Sequence, residues 1–293
     1  MGARLVDALA ARRHSVTAFD RFSGGTPNFS SSTARAVVGD FFNRGDLIAA
    51  LSGQDYVFHF LSTTTPAAAE NDPVLDLTTN ISPTVELLRL SVNAGVSRFY
   101  FASSGGTIYG DQSKLVYTEK DATRPKSPYG IGKLAIENYL EYFRVKHGLD
   151  SYSLRISNPY GPGQHPHSRQ GLIPIVLDRL RKGLPIVKVG DGSMVRDYIF
   201  ADDLVEMIMM IVEGDAQHRT YNLGSGAGHT VDQVLTTIEK VTGRDLDVSE
   251  VEKPKTFVDR VVLDTRRYAS EFGSPRLTSL ATGIDATWHR VSQ

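Results

Sequence analysis

The chain has 293 residues, enough for two compact domains or one large α/β unit, and its 32 basic and 33 acidic side chains leave a formal charge of −1. That balance speaks against a nucleic-acid groove or an anionic membrane as the main partner, and 41% hydrophobic with 22% charged residues excludes global disorder. The absence of cysteine excludes disulfides, thiolate catalysis and Cys-based metal sites together, and the longest apolar run, MIMMIV at 207–212, is far too short to cross a bilayer.

The opening MGARLV carries no signal-peptide core, so a cytoplasmic protein is expected. Leu5, Val6, Leu9 and Ala10 recur at helical spacing and predict a first helix. SVTAF (15–19), closing on Asp20, and RAVVG (35–39), closing on Asp40, read as strands separated by a polar loop, FSGGTPNFSSST (22–33). A short helix around DLIAAL (46–51), a strand YVFHFL (56–61) and one long helix over 73–94 follow. Next come a strand SRFYFAS (97–103), a strongly periodic helix over 128–146 and a strand SYSLRI (151–156). Strands alternating with helices predict a doubly wound parallel sheet of the α/β class, Rossmann-like in its connectivity. Beyond Asn158 the texture changes to a Pro- and Gly-rich loop, NPYGPGQHPHSRQG (158–171), and then to shorter mixed elements. The expected division is a dinucleotide-binding domain over 1–157, rejoined near 197–225, with 158–293 mostly a smaller α/β substrate domain.

The most informative constellation is Tyr129-Gly130-Ile131-Gly132-Lys133, whose Tyr and Lys project from one helix face a turn apart. A phenol titrates near ~10 in water, and a nearby ammonium, joined by a positively charged cofactor ring, lowers that value. A drop of about three units corresponds to ~4 kcal/mol of electrostatic stabilisation. Alone, Y-x-x-x-K is weak, because a tyrosine packed beside a surface lysine is the commoner outcome. Here the helix follows a βα series and the Ser/Thr-rich strand end ASSGGTIYG (102–110). Asp20 closes the second strand of such a fold, where a carboxylate accepts hydrogen bonds from both hydroxyls of an adenine ribose and repels a 2′-phosphate, favouring NAD over NADP. Taken singly, Asp20 reads as a solvated loop acid; in this ordered series it reads as functional.

These motifs resemble the extended short-chain dehydrogenase/reductases, specifically the nucleotide-sugar epimerase/dehydratase group, and the resemblance runs over nearly the whole chain. Gly2 and the helix behind it resemble the end of the family's glycine-rich turn, and Asp20-Arg21 its ribose-binding strand end. Asp40-Phe41 matches the adenine-contacting pair, and Leu61-Ser62-Thr63, Asn80, Ser103 and Pro159 fall where the family backs the cofactor. Tyr129 and Lys133 match the catalytic pair, while LRISNPYGPGQ (154–164) and GDGSMVRDYIFADDL (190–204) follow in family order. The resemblance implies that Asn158 and Arg196 hold a substrate diphosphate, with Gln170 and Leu172 opening the nucleotide-side wall. For Arg196 by itself, an ion pair with Asp197 or Asp191 is the plainer reading.

Three departures bear on the chemistry. The family's first strand and most of its G-x-x-G-x-x-G turn have no counterpart, so a shortened version of a longer protein is expected, with two neighbouring strands left lacking a ladder partner. The family's catalytic Ser/Thr position holds Gly105, leaving Thr107 or Ser104 to supply the hydroxyl, and Gly106-Thr107 replaces the Asp-Glu pair that dehydratases carry. Near the C-terminus Arg260 is the candidate for a third diphosphate contact, with an ordinary surface role equally open, and Val261 is small where the family sometimes has a bulky gate, which leaves room for an N-acetylated hexose. GSGAG (224–228) imitates a dinucleotide fingerprint but has the wrong spacing and reads as a tight turn, and His165-Pro166-His167 lacks further metal ligands.

The expected activity is therefore an NAD-dependent epimerase acting at C4 of a nucleotide-linked hexose, UDP-hexose first, through a 4-keto sugar. A nucleotide-sugar ketoreductase or dehydrogenase and a non-catalytic dinucleotide-binding protein are the alternatives. The resemblance also implies a homodimer formed through the helices near 73–94 and 128–146; neither metal, nucleic acid nor membrane is called for.

Overall fold

The computed structural model describes residues 1–292 apart from Thr26 and residues 165–170. By its contacts the chain forms two units, Met1–Ser103 with Pro128–Leu154 and Val205–Tyr221, and Ser104–Ser127 with Arg155–Leu204 and Asn222–Gln293. Against the expected break at residue 157, the segment Ser104–Ser127 groups with the second unit. The return to the first spans Val205–Tyr221.

In the first unit, Leu5 and Leu9 give α1 (Gly2–Ala11) its buried face. Strands β1 (Thr17–Asp20) and β2 (Arg35–Val38) pair in parallel as a two-stranded sheet. Asn43 then caps α2 (Arg44–Leu51) by accepting from the backbone N–H groups of Gly45 and Asp46. A second sheet has the order β3 (Tyr56–His59), β4 (Arg98–Ser104), β5 (Asp150–Ile156) and β9 (Thr220–Leu223), with β3 and β4 parallel. Among the described strands β1 pairs only with β2, and β3 only with β4, so each leaves an edge without a ladder partner.

The long helix expected over 73–94 is present as one uninterrupted helical run from residue 73 to 93, with a single wide turn inside it. After α3 (Pro66–Asn71), α4 (Pro73–Asp76) runs into a wide turn over Leu77–Ile81 with π-type hydrogen bonding, and α5 (Ser82–Asn93) resumes behind it. Pro83 at the start of α5 has no N–H to give to the preceding turn, which accounts for the local widening of the helix. Helix α6 (Pro128–His147) buries Ile136, Leu140 and Phe143 against a core of Leu87, Leu88, Phe99, Phe101 and Leu149. The apolar run 207–212 lies in α8 (Ala201–Glu213) and is buried except at Met210.

The second unit holds β6 (Asn158–Tyr160), α7 (Leu172–Arg181), β7 (Ile186–Val189) and β8 (Val195–Phe200), then β10 (Gly228–Thr230), α9 (Val231–Thr242), β11 (Val248–Val251), β12 (Arg260–Val261), α10 (Arg266–Phe272) and α11 (Leu280–Ser292). Strand β8 is its centre, pairing antiparallel with β10 and parallel with β12 and β6. Helix α9 opens with a reciprocal Thr230–Gln233 capping box and closes on Gly243 in the left-handed conformation. No described helix is long and apolar enough to cross a membrane.

Candidate active site

In the first unit, Tyr129 and Lys133 face one narrow cavity, lined also by His59, Leu61, Asp76 and Asn80. Lys133 is 8% exposed, donates its Nζ–H to the carbonyl oxygen of Ala102 at 2.9 Å, and sits 4.7 Å from the Phe101 ring centre and 5.5 Å from that of Tyr129. Burial pushes the Lys133 ammonium down to about 8, against the opposing pull of the Asp76 and Glu137 carboxylates. The Tyr129 phenol moves the other way from expectation: burial, helped by the Asp76 charge, pushes it well above its ordinary range. The reason is that withdrawing a phenolate from water is costly and the Asp76 charge adds to that cost. His59, wholly enclosed, is held down to about 3 by burial and by the Lys133 charge, and is therefore neutral. Its Nε2 shares a 2.8 Å hydrogen bond with Thr84 Oγ1, and its ring stacks on Phe41 and Phe101.

The residues matched to the cofactor divide by environment. Asp20 stands exposed at the end of β1, accepting from the Phe22 N–H at 3.0 Å, and Arg21 pairs with Asp40 at 3.0 Å. Phe41, matched with Asp40 to the adenine, has its ring 6% exposed and packed on His59, while Phe42 is the exposed ring. Thr63 donates its N–H to Asn80 Oδ1 at 3.0 Å, tying the 61–63 strand end to the wide turn, and Ser62 remains exposed. Ser103 donates its hydroxyl to Glu137 at 2.5 Å. Gly2 is the first residue of α1, with open space around its Cα.

In the second unit, a Cβ on Gly105 would lie 2.5 Å from Leu263 Cδ1 and 3.0 Å from the Arg155 carbonyl oxygen, so a side chain there would require Leu263 to move. Thr107 Oγ1 is buried with no hydrogen-bond partner, an orphan in an otherwise paired neighbourhood. Ser104 lies beside Gly106, which also faces the amide of Asn158. Asn158 donates to the Asp197 carbonyl at 2.9 Å, and Pro159 follows it in β6, in register with Ile199.

Arg196 forms neither of the ion pairs weighed for it. Its guanidinium donates to the carbonyls of Val258 at 2.5 Å and Val195 at 2.9 Å, half-buried and lowered by that burial. Arg260 donates to the Leu115 carbonyl at 3.0 Å in an exposed hollow with Asp111 and Lys114. Val261, at 1% exposure, packs with Ile108, Tyr117 and Leu263 and so belongs to a core rather than an open wall. Leu172 begins α7, while Gln170, His165 and His167 lie outside the described residues. Among the described residues no cluster of His, Asp or Glu is gathered to hold a metal.

The GSGAG turn has its own occupant. The carboxylate of Asp197, 0% exposed, accepts from the backbone N–H groups of Ser225, Gly226 and Leu263 and from the Ser225 hydroxyl. A Cβ on Gly224 would come within 2.5 Å of that carboxylate, so the glycine serves a protein anion and not a bound phosphate.

Sequence reading passed over Asp76, His59 and Glu137. Glu137 was signalled by its place one turn beyond Lys133. Asp76 carried no such signal, since in NDPVLD it reads as a helix-start acid.

The family model for the NAD dependent epimerase/dehydratase family matches residues 1–224. The chain belongs to this family. A dTDP-4-dehydro-6-deoxyglucose reductase of Escherichia coli is 33% identical over 229 residues, 78% of this chain and 72% of that protein. Among solved structures of epimerase/dehydratase-like proteins, a UDP-glucose 4-epimerase of Thermotoga maritima with UDP-glucose superposes with a TM-score of 0.91 at 31% identity, covering 99% of this chain and 94% of the other. A Thermus thermophilus UDP-glucose 4-epimerase in complex with NAD gives 0.92 at 29% identity, covering 99% and 95%. The doubly wound α/β class expected from the alternating elements is thus established.

Proposed function

We propose that this family member inverts C4 of a UDP-linked hexose, using NAD. The observation that carries the reading is the pairing in one cavity of the Tyr129 phenol with the buried, charged Lys133. Tyr129 Oη takes the proton of the sugar 4-hydroxyl and later returns one, and Lys133 supplies the positive charge that makes a phenolate attainable. Thr107, whose buried hydroxyl lacks a partner, orients the reacting oxygen, with Ser104 the second candidate. The exposed Asp20 carboxylate fits the hydroxyls of an adenine ribose, with Arg21–Asp40, Ser62, Thr63 and Asn80 alongside. A bound nicotinamide supplies the reversible acceptor for the C4 hydrogen. Asn158 and Arg196, with Arg260, hold the diphosphate, which leaves the sugar ring free to turn over. Gly106 and Thr107 offer no acid pair, so dehydration is not supported.

A ketoreductase is the second reading, favoured by the similarity to the E. coli reductase. Incubation with UDP-galactose and no added dinucleotide separates the two. The epimerase yields UDP-glucose with cofactor recycled in place, whereas a reductase yields nothing until reduced cofactor is supplied and then consumes it stoichiometrically.

The assembly is a homodimer in this reading. Ile131, Tyr142 and Val145 lie at 52%, 48% and 72% exposure along one face of α6, an apolar stripe suited to a second copy of the chain.

A further inference from the structure

The first unit buries a carboxylate beside the Tyr129–Lys133 pair that the reaction above leaves without a task. Asp76 is 4% exposed at the end of α4. Its Oδ1 accepts from Thr64 Oγ1 at 2.6 Å and from Asn80 Nδ2 at 2.9 Å, the wide turn having brought Asn80 back over it. Its Oδ2 fills the space that any side chain at position 132 would need, so Gly132 is the notch in α6 that admits it. Asp76, Tyr129 and Lys133 line the same cavity.

Lys133 makes no direct ion pair among the described residues; its Nζ is bound to a neutral carbonyl. An enclosed ammonium without a nearby negative charge is costly. The titratable groups facing it are His59 from β3, Asp76 from α4, and Tyr129 and Glu137 from α6 itself, while β4 contributes only the Phe101 ring and the Ala102 carbonyl. His59 and Tyr129 are neutral, so the negative charge facing Lys133 comes from Asp76 first and from Glu137, which also accepts from the Ser103 hydroxyl, second.

We propose that Asp76 is a positioning residue: seated in the Gly132 notch and fixed by Thr64 and Asn80, it supplies the main counter-charge that holds the Lys133 ammonium beside the phenol, with Glu137 adding to it. The proposal rests on the reading of Tyr129 and Lys133 as the reacting pair. Its physical content is a direction: without the Asp76 charge, both Lys133 and Tyr129 lose their protons at lower pH.

The test needs neither cofactor nor sugar. Lysine Cε is labelled with carbon-13, the Lys133 resonance is assigned by its loss in Lys133→Met, and its titration is followed by NMR. The midpoint, about 8 in the parent, is expected to fall by about one pH unit in Asp76→Asn, a tenfold change in proton affinity. An unchanged or raised midpoint in a folded Asp76→Asn protein overturns the proposal. Should that variant not fold, Gly132→Ala, which displaces the carboxylate without removing it, decides by the same criterion. Because turnover is not the readout, failure of the epimerase reading and failure of this one are told apart.

Discussion

At the scale of single residues, the chemistry rests on two groups that burial moves away from reactivity. In the free protein the Tyr129 phenol is raised and Lys133 is lowered to about 8. Lys133 must carry its proton to support a phenolate, so kcat/KM should decline on the alkaline side with a midpoint near 8, and Lys133→Met should lose activity at every pH by at least about 100-fold. A flat alkaline profile would contradict this. Thr107→Val should cost about 10–100-fold in kcat with the fold intact, and Ser104→Ala much less; the reverse order would move the hydroxyl role to Ser104. Much of this was legible in the chain, because Y-x-x-x-K on a helix fixes which side chains share a face. The pattern did not announce the burial and the Asp76 charge that raise the phenol, since desolvation depends on three-dimensional enclosure that spacing does not encode. Gly105, read as a lost hydroxyl, is also closely packed by Leu263 and the Arg155 carbonyl, partners remote in sequence that no local pattern announces.

At the scale of elements, two devices shape the first and second units. The wide turn before α5 follows from Pro83, and the single helix read from the periodicity over 73–94 holds through it, because one inserted residue widens a turn without ending the helix; the turn itself left no mark in the apolar pattern. In the second unit, the 224–226 turn wraps Asp197. Asp197→Ala would strand the donors of Ser225, Gly226 and Leu263, and should destabilise the fold by roughly 3–5 kcal/mol in urea titrations. Stability unchanged within ~0.5 kcal/mol would contradict the assignment of that turn. His59 adds a pH term of definite sign. Its folded value of about 3 lies below its ordinary 6.5, so its contribution is complete above pH 6.5 and shrinks as pH falls toward 3. The slope from this one group is at most about 1.4 kcal/mol per pH unit, and His59→Gln should flatten the decline measured between pH 7 and 5. An equal decline in both proteins would assign it to other groups.

At the scale of the whole molecule, the alternation of strands and helices gave the α/β class, while the membership of Ser104–Ser127 in the second unit was not readable. That segment is placed by non-local pairings, such as the Tyr117 carbonyl accepting from Asn222, which no local pattern announces. The same holds for the apolar stripe on α6, where exposure and not composition reveals the candidate surface. A homodimer of the 32.1 kDa chain should show about twice that mass by light scattering, and Ile131→Glu combined with Val145→Asp should return it to the monomer mass. A parent protein that is already monomeric would remove the dimer from the account.

The account turns on the Tyr129 oxygen as the group that exchanges a proton with the sugar, and one comparison tests it most directly. The parent chain and Tyr129→Phe are each incubated with UDP-galactose, and the dinucleotide released from each by heat is quantified by mass spectrometry. The prediction is loss of UDP-glucose formation by at least about 1,000-fold in Tyr129→Phe, with bound dinucleotide nearly unchanged. Turnover at the parental rate in Tyr129→Phe would contradict it.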